Sequence, residues 1–281
     1  MYDDERAFKE YVSQTFNRAA PSYDRVGLRF FSYFGNRLVE LAGVYNGASV
    51  LDVGCGRGAI LFPSAERVGE SGEVIGIDIA EAMLAQTAND IENLGVKNAR
   101  VCNMDAEALH FPKDSFDFVI CGFGLYEFYD LDPALSEAFR VLKSNGVFAA
   151  SLWGKIVDVR WDGFRSIVKS YRDHLKPAPE AKNVPRLREP ADIEILLSKA
   201  GFTHIQTVVE EKEFFFKDAD EWWAFEWSHG NRFLRERMEP PVLERCRSEL
   251  FEAVNRMKQE VGIPIVFQIL LTRAEKLHGR Q

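Results

Sequence analysis

The segment Asp52-Val53-Gly54-Cys55-Gly56-Arg57-Gly58 constrains this chain more than any other. It begins within Ser49 to Val53 (SVLDV), a short apolar run of strand length, and opens a stretch that can be helical. Glycines at a strand-to-helix junction let the chain turn tightly. They also let a ligand touch backbone N–H groups at the positive end of the helix. Two ligand classes use such a turn. Gly54, Gly56 and Ala59 fit the G-x-G-x-x-G/A spacing of dinucleotide sites, and Asp78 lies 20 residues beyond Gly58, where an acid would meet a ribose in either class. Asp52 separates the two. A carboxylate two residues ahead of the first glycine would crowd a pyrophosphate with like charge, whereas it suits a ligand carrying an ammonium group, such as S-adenosylmethionine.

The surrounding pattern places this turn in an α/β sheet. Val74 to Ile79, Arg100 to Cys102, Phe116 to Cys121 and Val147 to Leu152 read as further strands. Met83, Leu84, Thr87, Ile91 and Leu94 recur at helical spacing, as do Leu135, Ala138, Phe139 and Leu142, the latter helix closed by Lys143 and Gly146. Strand alternating with helix implies a parallel sheet with right-handed crossovers. Two helices precede it, carrying Phe8 to Ala19 and Phe31 to Leu41 and separated by Pro21 and Ser22. After Trp153 the pattern loosens. Trp161 to His174 can be helical, Lys176 to Pro190 holds four prolines and reads as a loop, and Ile193 to Ala200 forms a helix before a strand at Thr203 to Val209. Helices at Trp222 to His229 and Val242 to Met257 and a last strand, Ile265 to Thr272, complete the chain. No stretch is long or polar enough to be an interdomain linker.

Composition narrows the function. The 281 residues carry 35 Lys and Arg against 43 Asp and Glu, a net charge of -8 that disfavours a nucleic-acid substrate. Cys55, Cys102, Cys121 and Cys246 lack CxxC or Cys–His spacing, so neither a disulfide framework nor a metal site is indicated. The N-terminus, MYDDERAFKE, is acidic, unlike a secretory signal, and no run approaches the roughly 20 apolar residues of a membrane span. A cytoplasmic protein is expected, with a homodimer left open.

Residues along the turn and the strands resemble the class I S-adenosylmethionine-dependent methyltransferases. Asp52 to Gly58 matches the first motif, Asp78 the acid that binds both ribose hydroxyls, and Asp105, within Asn103-Met104-Asp105-Ala106, the acid that accepts from the adenine amino group. Met83 falls where a hydrophobic residue flanks adenine. The resemblance implies a Rossmann-like fold with a seven-stranded, mostly parallel sheet, helical lid insertions and S-adenosylmethionine as cofactor. The expected cofactor contacts are Asp52, Gly54, Cys55, Gly56, Gly58, Asp78, Ile79, Met83, Met104, Asp105, Ala106, Cys121 and Gly122. Phe16-Asn17-Arg18-Ala19-Ala20-Pro21-Ser22-Tyr23-Asp24, Gly122-Phe123-Gly124-Leu125 and Arg140 to Gly146 are similar to the ubiquinone/menaquinone C-methyltransferase-like branch. That branch includes many natural-product O-, N- and C-methyltransferases. Quinone enzymes usually carry Arg-Asn where this chain has Tyr126-Glu127, so quinone is not implied as the substrate.

The resemblance divides the chain into an N-terminal helical cap (1–42), a cofactor core (43–154) and a lid (155–261) interleaved with core helix 190–201 and strand 203–209. A closing strand (262–275) follows. Methyl transfer from a sulfonium needs chiefly the approximation of nucleophile and methyl group, and a base only if the nucleophile arrives protonated. Tyr126, Glu127 and His229 are the candidate catalytic groups. His110, His174, His204 and His278 have no comparable company. Aromatic residues make up 12% of the chain. Tyr23, Phe30, Phe31, Phe123, Tyr126, Trp223 and Trp227 are expected to line a pocket for a hydrophobic, aromatic or polyketide-like acceptor. Two alternatives stand beside methyl transfer to O, C or N: a cofactor-binding cyclase or structural protein of the same fold, and an NAD-dependent oxidoreductase.

Overall fold

A computed structural model describes residues 2–277, which leaves His278 outside the described residues. One seven-stranded sheet organises the chain. Its strands are β1 (Ser49–Val53), β2 (Glu73–Asp78), β3 (Ala99–Asn103), β4 (Phe116–Gly122), β5 (Leu142–Trp153), β6 (Thr203–Phe216) and β7 (Ile263–Glu275), in spatial order 3-2-1-4-5-7-6. β3, β2, β1, β4 and β5 run parallel, while β7 is antiparallel to both neighbours. The order reverses between β1 and β4, which is where an open α/β sheet leaves a crevice at the carboxyl ends of its strands.

The helices are α1 (Tyr2–Ala19), α2 (Phe30–Ala42), α3 (Leu61–Val68), α4 (Glu81–Asn93), α5 (Leu131–Val141), α6 (Asp162–Arg172), α7 (Pro190–Lys199), α8 (Ala219–Trp227), α9 (Arg232–Glu236) and α10 (Pro240–Asn255). β1 and β2 are buried almost throughout, as apolar runs covered on both faces by helices must be. The helix expected to close at Lys143 and Gly146 ends earlier. Leu142 turns to extended backbone and starts β5, and Lys143 pairs with Asp117 on β4 at 2.9 Å, so these residues belong to the sheet. β6 runs past Val209 to Phe216, because Phe214 to Phe216 continue the ladder with β7.

α2 also departs from the expected cap. Phe30, Phe34 and Leu38 are fully buried in the cluster that includes Val50, Ile120 and Ala149 of the sheet, which makes α2 part of a core layer. Its start is fixed by Asp24, whose carboxylate accepts the N–H groups of Phe31 and Ser32 at 3.1 and 2.9 Å. α1, by contrast, lies over the crevice. Ser13 Oγ donates to the Ile79 carbonyl at 3.0 Å, and Asn17 accepts the Ala82 N–H at 2.8 Å, fastening α1 to the loop that follows β2 and to the first turn of α4. No described helix is long and apolar enough to cross a membrane.

Candidate active site

The crevice at the reversal point is a cavity of about 770 Å³, bounded by the ends of β1, β2 and β4, by α1, and by α8 with the turn after it. Gly54 and Gly56 adopt φ of +69° and +47° and line it. A Cβ at Gly54 would meet nothing nearer than 3.9 Å, and one at Gly56 nothing nearer than 3.8 Å, so their bare backbone leaves space that any side chain would fill. Gly58, with φ of +82°, serves the turn alone, since a Cβ there would strike the Phe62 ring at 2.5 Å. It does not line the cavity.

Asp78 closes the other side of the turn. One oxygen accepts the Gly56 N–H at 2.9 Å and the other the Ala80 N–H at 2.8 Å, and burial raises its pKa above the ordinary carboxylate range against these bonds. Ile79, Met83, Met104, Asp105, Ala106 and Gly122 line the cavity with it. Asp105 is already partnered. Its carboxylate accepts the Glu107 N–H at 2.9 Å and the Lys9 ammonium of α1 at 2.7 Å. An adenine amino group would share the remaining lone pairs.

Three more of the expected cofactor contacts lie elsewhere. Asp52 is fully buried beneath the turn, and neither of its oxygens receives a well-formed hydrogen bond. Burial and then the Asp78 charge hold its pKa well above the usual range, with the Leu61 N–H offsetting this least. Asp52 does not line the cavity, where it was expected to meet an ammonium group. Cys55 and Cys121 are buried outside the cavity, Cys55 in the turn against Gly76 of β2 and Cys121 on β4, where alternation along the strand turns it away from its neighbours.

At the acceptor end, Phe123 (φ +59°), Tyr126 and Glu127 follow β4 into the cavity. Tyr126 is no free acid or base: its hydroxyl donates to the Leu187 carbonyl at 2.6 Å, and burial pushes its pKa up to about 12. Glu127 differs. Its carboxylate has no hydrogen-bond or ion-pair partner among the described residues, and burial alone raises its pKa to about 7. His229 also lines the cavity and is 8% exposed. Burial lowers its pKa to about 4, with the Glu226 carboxylate opposing and Arg235 adding to the shift. Its Nδ1 accepts the Asn231 N–H at 3.2 Å, which places the proton of the neutral ring on Nε2. The neutral His229 ring therefore has its Nε2–H free to donate a hydrogen bond into the cavity.

Among the expected substrate contacts, Tyr23, Phe31, Phe123 and Tyr126 line the cavity. Phe30, Trp223 and Trp227 do not. Phe30 packs flat on Trp153 at 4.9 Å inside the core, and Trp223 lies against the guanidinium of Arg235 at 5.2 Å. Trp227 is covered by Arg232 at 5.8 Å. Helical geometry explains this: Trp222, Phe225, Glu226 and His229 share one inward stripe, and Trp223 and Trp227, four residues apart, share another. Phe225, from the aromatic helix expected to line a pocket, does so, and Phe267 and Arg188 line the cavity without having been expected there. The spacing of Phe225 to His229 was visible in the sequence, but nothing local marked Phe267 or Arg188.

A methyltransferase-domain family model matches residues 45–179. The chain is 33% identical over 247 residues to nocamycin O-methyltransferase of Saccharothrix syringae, covering 84% of this chain and 88% of that one. Aklanonic acid methyltransferase of Streptomyces sp. strain C5 is 40% identical over 143 residues, which span 51% of this chain and 65% of that relative. The crystal structure of YcgJ from Bacillus subtilis has the same fold, with a TM-score of 0.60 at 22% identity over 88% of this chain and all of that one. This chain belongs to the S-adenosylmethionine-dependent methyltransferases. The open cradle at Gly54 and Gly56, with Asp78 beside it, fits that cofactor, and the oxidoreductase and cyclase readings give way to methyl transfer.

Proposed function

We propose that this enzyme methylates an acidic oxygen of an aromatic or polyketide-like small molecule and that Glu127 accepts the proton released. The observation carrying this reading is Glu127 itself, a half-buried, unpartnered carboxylate in the cavity with a pKa near 7. A base poised there is deprotonated often enough at neutral pH to accept a proton from a phenol, enol or carboxylic acid. The aromatic walls support a flat acceptor, and the relatives named for nocamycin and aklanonic acid support a polyketide-like one.

In this reading the Gly54–Gly56 backbone and Asp78 hold the amino-acid and ribose parts of S-adenosylmethionine, and Met83, Met104 and Asp105 surround its base. Bound there, the cofactor supplies a methyl group on a positively charged sulfur. Phe31, Phe123 and Phe225 fix the acceptor ring and exclude water, and His229 Nε2–H orients an acceptor oxygen. Approximation of this kind can supply about 7–11 kcal/mol of the barrier reduction. The acidic net charge of -8 supports a small-molecule acceptor over a nucleic acid.

Incubation with methyl-labelled cofactor and a panel of polyketide phenols, enols and carboxylic acids tests the reading. Label on oxygen in at least one compound is expected. Labelling confined to carbon or nitrogen, or no labelling by protein that still binds S-adenosylhomocysteine, would overturn it.

A further inference from the structure

Four cations line the cavity: Lys9, Lys155, Arg165 and Arg188. Three have carboxylate partners. Lys9 bonds Asp105, Lys155 bonds Glu189 at 2.8 Å, and Arg165 bonds Asp162. Arg188 has none among the described residues. Asp192 lies four positions on, but it is committed to the N–H groups of Arg188 and Glu189, at 3.0 and 2.9 Å, where it caps α7.

Arg188 is nevertheless held in place. Leu187 beside it is 1% exposed, and its carbonyl accepts the Tyr126 hydroxyl at 2.6 Å. The Arg188 guanidinium donates through Nη1 to the Gly154 carbonyl at 3.1 Å, just beyond the carboxyl end of β5. β5 is the neighbour of β4, with Ser151 registered against Gly122. The Tyr126–Leu187 bond therefore brings Arg188 to the acceptor end of the cavity, onto the segment that carries Glu127. A half-buried guanidinium with one neutral acceptor and no counter-charge is costly unless an anion arrives. Its planar fork matches two coplanar oxygens sharing one negative charge.

We propose that Arg188 is a specificity-determining residue that recognises a planar two-oxygen anion on the acceptor, either a carboxylate or the enolate of a 1,3-dicarbonyl. The inference rests on the aromatic-acceptor reading above and narrows it to acidic compounds. It also gives the proline-containing segment before α7 a function: Tyr126 and Asp192 pin that segment so that Arg188 faces the site.

Calorimetric titration of protein saturated with S-adenosylhomocysteine tests this, using anthraquinone-2-carboxylate, its methyl ester, and 2-benzoylcyclohexane-1,3-dione as the enolate probe. One or both anions should bind at least about tenfold more tightly than the ester, the scale of one hydrogen bond to a charged group. Preference for one anion over the other distinguishes carboxylate from enolate. Arg188→Met should abolish the preference and Arg188→Lys should keep part of it, with S-adenosylhomocysteine affinity and thermal unfolding unchanged in both. If the ester binds as tightly as both anions, or Arg188→Met keeps the preference, the anion proposal alone falls. If neither the anions nor the ester bind, the aromatic-acceptor reading falls and takes the proposal with it.

Discussion

The backbone N–H of Gly56 donates to the carboxylate of Asp78 across 2.9 Å, joining the glycine turn after β1 to the acid at the end of β2. With Ala80 N–H on its other oxygen, Asp78 is oriented before any ligand arrives. Two residues 22 positions apart are thereby joined into one element of the cavity wall.

Loss of that element should be felt in cofactor binding. Asp78→Ala is expected to weaken S-adenosylhomocysteine binding by about 1–3 kcal/mol or more, since hydrogen bonds to a charged group are lost. Calorimetry checks this, and unchanged affinity would remove Asp78 from the site. Gly56→Ala should weaken binding too, by placing a Cβ in the cradle at φ of +47°.

Glu127 sets a pH dependence whose sign is fixed. In the proposed role of proton acceptor it must be ionised, so kcat/KM should rise with pH through about 7 and level off above it. Glu127→Gln should lower kcat/KM and erase that rising limb. Stability runs the other way. Its folded pKa lies above its ordinary value of 4.5, so the folded state binds more protons between 4.5 and about 7, and stability falls as pH rises through that window. Chemical denaturation at pH 8 should find Glu127→Gln more stable than wild type, on the order of 1–3 kcal/mol.

For His229 the linkage reverses. Its folded pKa of about 4 lies below the ordinary 6.5, so its contribution is complete above 6.5 and is lost as pH falls toward 4. Unfolding curves of His229→Gln should therefore lose less stability than wild type between those pH values. If His229 donates through Nε2, the variant should raise KM for the acceptor while the Glu127 limb of the rate profile stays in place. Disappearance of that limb would return the role of base to His229.

The aromatic residues of α8 should separate by stripe. Phe225→Ala should raise acceptor KM, because Phe225 lines the cavity. Trp223→Ala should leave acceptor and cofactor binding unchanged and cost about 1–2 kcal/mol of stability through lost packing and cation–π contact with Arg235. Steady-state kinetics together with thermal unfolding distinguish the two outcomes.

Much of this protein is local in its sequence and could be read there. The glycine turn, Asp78 at the end of a buried strand, and the alternation of strand and helix depend on neighbours within a few residues, because turn geometry and burial period are local properties. The tertiary structure alone decided which side chains face the cavity. Asp52 and Cys55 sit within the motif yet are buried beneath it, Cys55 packed against Gly76 of β2. Trp223 and Phe225 are equally aromatic on paper, and only the packing of α8 gave one to the guanidinium groups of Arg235 and Arg247 and the other to the site. Arg188 owes its place to Tyr126 and Gly154, which lie 62 and 34 residues before it. Contacts at such separations leave no periodic trace in the chain, because burial and hydrogen bonding at the site are fixed by folding and not by sequence proximity.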